Sequence, residues 1–577
     1  MGLDEQPQMS DLRATGRIAA VRRSGRVRKS RSLRPLDVQI YQASEALTEP
    51  LIYLMVLFSP WAFGTSQPWS IRGMTIAGYL LGGMLVVKLA IRWFKGYRPP
   101  RWDGELGEES RKQKAESRNE EEGEGIGNPK SEIRNAKEVR HQESQVRKPR
   151  SEVRGRRLLT SSRLTAILGW LTVAILGYCL ISALNARATY LPQALRFAYH
   201  DRCIRWLPHS LDSNQTWFAF WSYLALALSF WAVRDWLLGK SAIEERAEVQ
   251  VKGRSSETRA EFVPARMRRL FWLLAINGGL LGLEGIIQRI EGSGKLLFLV
   301  RPYIHKTADT QFGPYAYYAN ASQYFNLLWP VCLGFWWVLH QSHGFKRNGH
   351  HVLLVCSAIM AACPIISTSR GGALISVGML ALAAPFLLVT QYFSAAHRRQ
   401  DRSTRTITLG VLALFFAGAL VLGFSLGWKA LKPRMATIHQ GFQYRERDYD
   451  RARPMAADYP IFGTGPGSFA NVSQLYRTST TINWYEQLHN DWLETRITFG
   501  WVGSALIALA FTTVVLRWIA PGGIQCGGRF VLLMWLALSG CLLHARFDFP
   551  FQMHSIVFLF LVLCATLFNL SRRPSVP

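Results

Sequence analysis

Apolar residues in this chain gather into stretches of about 17–23 residues parted by charged segments, and this spacing limits the fold more than any other feature. Roughly 20 apolar residues in a helix cross the ~30 Å of bilayer hydrocarbon. Lipid offers no partner to backbone N–H and C=O groups, so such stretches have to be helical. Spans are expected near 47–63, 73–94, 164–185, 216–238, 270–289, 321–340, 351–367, 373–392, 406–427, 498–519, 529–545 and 553–570. The fold class is therefore all-α: a polytopic membrane protein with about 12 transmembrane helices and a long periplasmic loop.

Charge sets the orientation. The net charge is +29 over 577 residues, and every second connection is basic. The first arm carries Arg22, Arg23, Arg26, Arg28, Lys29, Arg31 and Arg34. The 95–163 and 239–269 segments follow, then Lys346 with Arg347, and Arg398, Arg399, Arg402 and Arg405. Arg517 with Arg529 and Arg572 with Arg573 complete the series. Positive loops stay inside, so these connections and both termini are expected in the cytoplasm of a bacterial inner-membrane protein without a signal peptide. Nucleic acid is not an expected partner, because no folded basic domain presents the charge; membrane lipid headgroups are.

The expected organisation is a basic arm (1–46), two spans (47–94), a charged linker (95–163), seven spans (164–427), a periplasmic loop (428–497) and three spans with a short tail (498–577). Residues 101–157 are rich in Glu, Lys, Arg and Ser, a composition that buries too little surface to fold and reads as disordered. The eight cysteines include no CxxC pair and fall mostly in or beside apolar spans, as packing residues do.

Chemistry is expected on the outer face. Ser367-Thr-Ser369-Arg370-Gly371-Gly372 opens the eighth span, where an arginine departs from the charge rule. Ser/Thr hydroxyls, glycines and a helix N-terminus suit an anion, and the Arg370 fork suits phosphate oxygens. The same residues also fit an ordinary helix cap with a snorkelling arginine. Before the tenth span, Gln487-Leu-His489-Asn490-Asp491-Trp-Leu-Glu494 carries two carboxylates that read as an Asp form of the capping box. His489 then stands outside the positive end of the helix dipole, which favours the neutral imidazole a general base needs; a structural role is the alternative. Pro460-Ile-Phe-Gly463-Thr-Gly465-Pro-Gly467 lacks the Lys-Ser/Thr of a nucleotide loop and is expected to be a tight turn. Arg445, Arg447, Arg451 and Arg453, with Arg301, His305 and Lys306, add outer-face cations, pointing to a polyanionic substrate such as a diphosphate. No Asp/Glu cluster offers a metal site to share that charge. Glu284 lies alone inside the fifth span, at a cost of order 2.5–3.5 kcal/mol if unpaired.

Taken in order, Phe312-Gly-Pro-Tyr315, Ser369-Arg-Gly-Gly372, Gly463-Thr-Gly-Pro-Gly-Ser-Phe469, His489-Asn-Asp-Trp-Leu-Glu494, Phe499-Gly-Trp-Val-Gly503 and Asp548-Phe-Pro550 resemble the O-antigen ligase and polymerase superfamily of membrane glycosyltransferases. The resemblance runs from about residue 200 to the end. It implies transfer of a glycan from a polyprenyl-diphosphate carrier to a lipid, glycan or protein acceptor, without metal, nucleotide or other cofactor. It implies that His489 is the catalytic base and that Arg370 holds the diphosphate, supported by Ser369, Gly371, Gly372, Asn490 and Glu494. Arg445 fits the spacing of a family arginine before the Pro460 turn, with Tyr449 where an aromatic is usual; Arg451 or Arg453 are alternatives, and Arg301 is a further candidate. Tyr317-Tyr-Ala-Asn320 departs from the family's Asn-rich run. A repeat-unit polymerase, or from another class a lipid-linked glycan flippase, are the competing readings. The sequence carries no signal for oligomeric state.

Overall fold

The computed structural model describes residues 33–102, 161–241, 243–244, 263–343, 349–393, 402–478, 486–520 and 524–571. The 101–157 linker apart from its first two residues, the arm before residue 33, Lys346, Arg347, Arg398, Arg399, Arg572 and Arg573 lie outside them. Helices stand where the twelve spans are expected: α1 (Pro35–Trp61), α2 (Pro68–Lys95), α3 (Ser161–Leu184), α4 (Ser213–Leu237), α5 (Ala265–Glu291) and α6 (Tyr318–His343). They continue with α7 (Val352–Ile366), α8 (Arg370–Phe393), α9 (Arg402–Ala436), α10 (Ile438–Asp458), α11 (Asp491–Ile519), α12 (Gly528–His544) and α13 (His554–Asn569). Among the described residues, eight helical segments are long and apolar enough to cross a membrane, including α2, α3, α4, α5, α8 and α11. The helices α12 and α13 are apolar but shorter.

The 428–497 segment is not the loop expected. It holds the end of α9, the whole of α10 and a short turn at Phe469–Val472. In α10, Tyr449, Ala452 and Met455 recur at three-residue intervals and are buried, against charged residues on the other faces. That is the stripe of a helix lying on the bundle rather than through it. Between α3 and α4 the chain adds a small hairpin, β1 (Ala188–Leu191) with β2 (Arg196–Tyr199), in antiparallel register from Ala188↔Tyr199 to Leu191↔Arg196.

The central element is α6, buried at every residue from 319 to 340. A helix covered all round faces protein rather than lipid, so it tolerates Asn320, Gln323 and Asn326, and Trp329, Trp336 and Trp337 fill its surroundings. It packs on α7, α12, α8 and α5. One end of the bundle is pinned by ion pairs. Fully buried Lys88 meets Glu45 at 2.8 Å and Asp235 at 3.2 Å, and Arg92 and Arg101 reach the same Asp235 at 2.7 and 2.9 Å. Shared partners offset the desolvation that a lone buried charge would suffer. The opposite end holds the starts of α6, α8, α11 and α13, with α10 laid across them.

Helix α11 is broken at Gly500, whose φ of 59° and ψ of −166° suit glycine alone. The Pro460–Gly467 turn fits into the break. Trp501 and Val502 N–H groups donate to Pro460 and Ile461 carbonyls at 3.0 and 3.1 Å, while Thr464 and Gly465 donate to Ile497 and Thr498 at 2.8 and 3.0 Å. The turn thus satisfies backbone groups that the break sets free, as irregular backbone at membrane depth requires.

Candidate functional site

Three guanidinium groups converge near the start of α6. Arg370 is the first residue of α8. Its Nη2 donates to Thr437 Oγ1 at 3.2 Å, and its side chain runs past Gly441 so closely that a Cβ there would lie 1.9 Å from Nη1. Arg434, at the end of α9, donates to the Tyr318 hydroxyl at 2.6 Å and to Thr368 Oγ1 at 3.0 Å, its guanidinium 4.2 Å from the Tyr318 ring centre. Arg445, from α10, meets Asp548 Oδ2 at 3.3 Å and the Phe547 carbonyl. Arg370 is close enough to feel the charge of both other arginines. Among the described residues, no carboxylate lies within ion-pair distance of Arg370 or Arg434. Clustered cations without a carboxylate leave donors for an anion.

The neighbouring residues of that motif serve the helix. Ser369 accepts the Gly372 N–H at 3.2 Å, a cap of its own helix. A Cβ on Gly372 would come 1.6 Å from Ser322 Oγ, so this glycine permits the close crossing of α8 over α6. Gly371 lies against His544 in the same way, at 3.3 Å.

His489 takes a φ of 58° two residues before α11 begins. The Tyr449 hydroxyl donates to its carbonyl at 2.8 Å. Its Nδ1 is 2.9 Å from Asp548 Oδ1, on the turn between α12 and α13. With Nδ1–H given to this carboxylate, the tautomer assigned by the hydrogen-bond partner, Nε2 carries the lone pair. The ring edges against Phe549 at 4.8 Å and Tyr317 at 5.9 Å. Asp548 is buried, and also takes the Tyr317 hydroxyl at 3.3 Å and the Phe549 N–H at 3.1 Å. Burial alone would raise its pKa, but Arg445 and the His489 ring outweigh it and hold the carboxyl well below the usual range. For Arg445, burial opposes the charge, and Asp548 with the surrounding tyrosines more than restores it.

The two carboxylates in the first turn of α11 are not the capping pair expected. The N-cap is Asn490, whose side chain accepts the Leu493 N–H at 3.1 Å. Asp491 instead accepts the Phe551 N–H at 2.7 Å, and Glu494 the Leu488 N–H at 2.9 Å. Both face inward, Asp491 toward the turn bearing Asp548 and Glu494 toward the strand of chain bearing His489. Three residues of spacing allow a capping box, but the buried backbone donors nearby win the carboxylates.

Beside His489 lies a shallow cleft of about 60 Å³, open to solvent and lined by Asp448, Arg451, Met455, Phe469, Arg477 and Gln487. Arg451 belongs here, 3.5 Å from Asp448, rather than with the guanidinium cluster. Arg453 pairs with Glu446 at 2.7 Å and with Asp450 on the exposed face of α10. Arg301 is exposed, and among the described residues it makes no hydrogen bond or ion pair. Of the arginines expected to bind anion, Arg370 and Arg445 come together; Arg434 was missed. Its only signal was an outer-side arginine one turn before α10, in a segment read as loop. Asp548 belongs to the Asp548-Phe-Pro550 motif, but nothing in the sequence says that it meets His489.

A multi-pass helical membrane protein with a guanidinium cluster and an Asp–His pair at one end of the bundle is the class these features define. Residues 355–508 match the model of the family described as O-antigen ligase. Over that stretch the chain is similar to the O-antigen ligase family, and the match supports the resemblance to the ligase and polymerase superfamily and a membrane glycosyltransferase of ligase or polymerase type. The matched residues include Arg370, Arg434, Arg445 and His489 and end before Asp548. No curated protein matches the chain.

Proposed function

We propose that this protein transfers a glycan from a polyprenyl-diphosphate carrier to an acceptor hydroxyl at the periplasmic face of the inner membrane, with inversion at the anomeric carbon. The observation that carries this reading is the His489–Asp548 pair, 2.9 Å apart, beside Arg370, Arg434 and Arg445. Asp548 fixes the imidazole, and Nε2 takes the proton of the acceptor hydroxyl as its oxygen attacks C1 of the sugar. The C1–O bond to phosphate breaks, and polyprenyl diphosphate departs with the electron pair. The three guanidiniums neutralise the charge that grows on that leaving group. A positioned base is worth typically 10²–10⁴-fold. The shallow cleft beside His489, which opens to solvent, gives the acceptor hydroxyl a path of approach. The basic residues in alternate connections support an outward orientation for this end.

The test uses purified protein in liposomes with a polyprenyl-diphosphate-linked oligosaccharide, comparing wild type with His489→Ala. Release of polyprenyl diphosphate with transfer of the glycan, lost in the variant, is the expected outcome. A lengthened donor glycan identifies a polymerase, and a requirement for added acceptor a ligase. Movement of labelled lipid across the bilayer with no transfer from any donor would overturn the reading in favour of a flippase.

A further inference from the structure

A second cluster lies at the opposite end of α6. His340 is 22 residues beyond Tyr318, about 33 Å along a helix rising ~1.5 Å per residue. There it meets His350 and His351, from the turn that leads into α7. One ligand nitrogen from each of the three lies within 4.8 Å of the others. His340 and His350 are 3% and 6% exposed.

The geometry is that of ligands. His340 Nδ1 and His350 Nε2 are 3.3 Å apart. Two imidazole nitrogens at ~2.0–2.1 Å from one tetrahedral ion stand about 3.3–3.4 Å from each other. The third ring needs a shift of at most about 1.5 Å to reach the same separation. The surroundings orient the central ring: His340 Nε2 is 3.1 Å from Thr408 Oγ1 in α9. When Nε2–H of His340 goes to Thr408, Nδ1 turns its lone pair toward His350. An acceptor on the far nitrogen, as Thr408 is for His340, is what a histidine ligand uses to fix its tautomer. Three-ring contact is also a poor way to fill an apolar bundle end, since each imidazole brings a donor and an acceptor to be satisfied. The rings are packed in place by Trp336, stacked on His340 at 5.0 Å and 12°.

We infer that His340, His350 and His351 bind a divalent transition metal, Zn²⁺ fitting best, which ties α6, α7 and α9 together at the end of the bundle remote from His489. Three neutral imidazoles suit a borderline ion over Mg²⁺ or Ca²⁺, which prefer oxygen. Three protein ligands leave the remaining position of a tetrahedral ion to water or another donor. The inference is independent of the glycan-transfer reading, because it concerns no residue of that site. No CxxC pair or acidic cluster marks this site in the sequence; its histidines, ten and eleven residues from His340, meet only because a helix end and a turn fold together.

The experiment takes full-length protein with any polyhistidine tag removed, stripped with chelator in detergent, and titrates it with Zn²⁺ or Co²⁺ at micromolar concentration. One equivalent is expected, and the Co²⁺ form should show the intense visible absorption of a four-coordinate site. His340→Ala/His350→Ala should weaken Zn²⁺ binding by more than about 100-fold, and Thr408→Val by the 10–100-fold typical of an outer-shell partner. No bound equivalent in wild type, or an equivalent kept by the double variant, overturns the inference. If the double variant does not yield folded protein, the wild-type Co²⁺ spectrum decides, and a weak six-coordinate spectrum refutes the site.

Discussion

Replacing Asp548 with Asn tests the proposed base without touching it. The substitution keeps shape and a hydrogen-bonding oxygen 2.9 Å from His489 Nδ1, but removes the charge. Two consequences pull apart. The imidazole loses the anion that fixes its tautomer and offsets the positive charge it acquires on taking a proton, so the general-base contribution of 10²–10⁴ should largely vanish. That corresponds to about 2.7–5.5 kcal/mol of barrier at 1.36 kcal/mol per tenfold. Arg445 meanwhile loses its only ion-pair partner among the described residues, 3.3 Å away, and its guanidinium becomes freer to bind phosphate. The donor KM should therefore stay level or fall while kcat drops by at least about 100-fold. The assay is initial-rate transfer in proteoliposomes over a range of donor lipid, with a thermal melt of the same preparation as a check on folding. A kcat within about threefold of wild type, or a donor KM that rises in step with a kcat loss, would refute the division of labour between Asp548 and the arginines.

Other outcomes follow from the same geometry. Arg370→Ala and Arg434→Ala should each lower kcat/KM by at least about 100-fold, with Lys at 370 only partly restoring it for want of a two-pronged fork, whereas Arg301→Ala should stay within about threefold; transfer assays across the set decide it. Gly500→Ala should lower the thermal midpoint in detergent, since φ 59° with ψ −166° costs a side chain about 1–3 kcal/mol and its Cβ would fall 2.2 Å from the Ile461 carbonyl oxygen; an unchanged midpoint would contradict the docked turn. The depressed pKa of Asp548 fixes a sign: its folded-state charge stabilises at any pH above the unfolded value of ~3.9, and that stabilisation is lost as pH falls through the folded value. The difference in melting temperature between wild type and Asp548→Asn should then be flat from about pH 5 to 8 and shrink only below about pH 4, which melts in matched buffers would show.

Hydropathy revealed the helices because lipid imposes one rule on every span: a helix stands at each expected position, and among the described residues eight are long and apolar enough to cross a membrane. It failed on 428–497, where α10 lies on the bundle and buries only Tyr449, Ala452 and Met455, too thin a stripe to stand out among the charges. Motifs led to His489 and Arg370 because each sits beside a helix start, a local feature. Asp548 and Arg434 were not assigned because their roles exist only through contacts across 59 and 116 residues, with His489 and Tyr318. Asp491 and Glu494 misled for a similar reason. Their sequence spacing is that of a cap, but their partners are backbone donors at 551 and 488 that folding brings within reach.

The position of Asp548 bears on how the protein is made. His489 precedes α11, but its carboxylate partner arrives on the turn between the last two helices, α12 and α13. Helices enter the membrane in order of synthesis, so a nascent chain carries Arg370, Arg434, Arg445 and His489 before it has a fixed base. The final hairpin closes the Asp–His pair and, through Asp491 and the Phe551 N–H, locks the start of α11 against it. A ribosome that stalls short of that hairpin releases a protein with its arginines in place and a histidine without its carboxylate partner, which under the proposed glycan transfer is expected to be inactive.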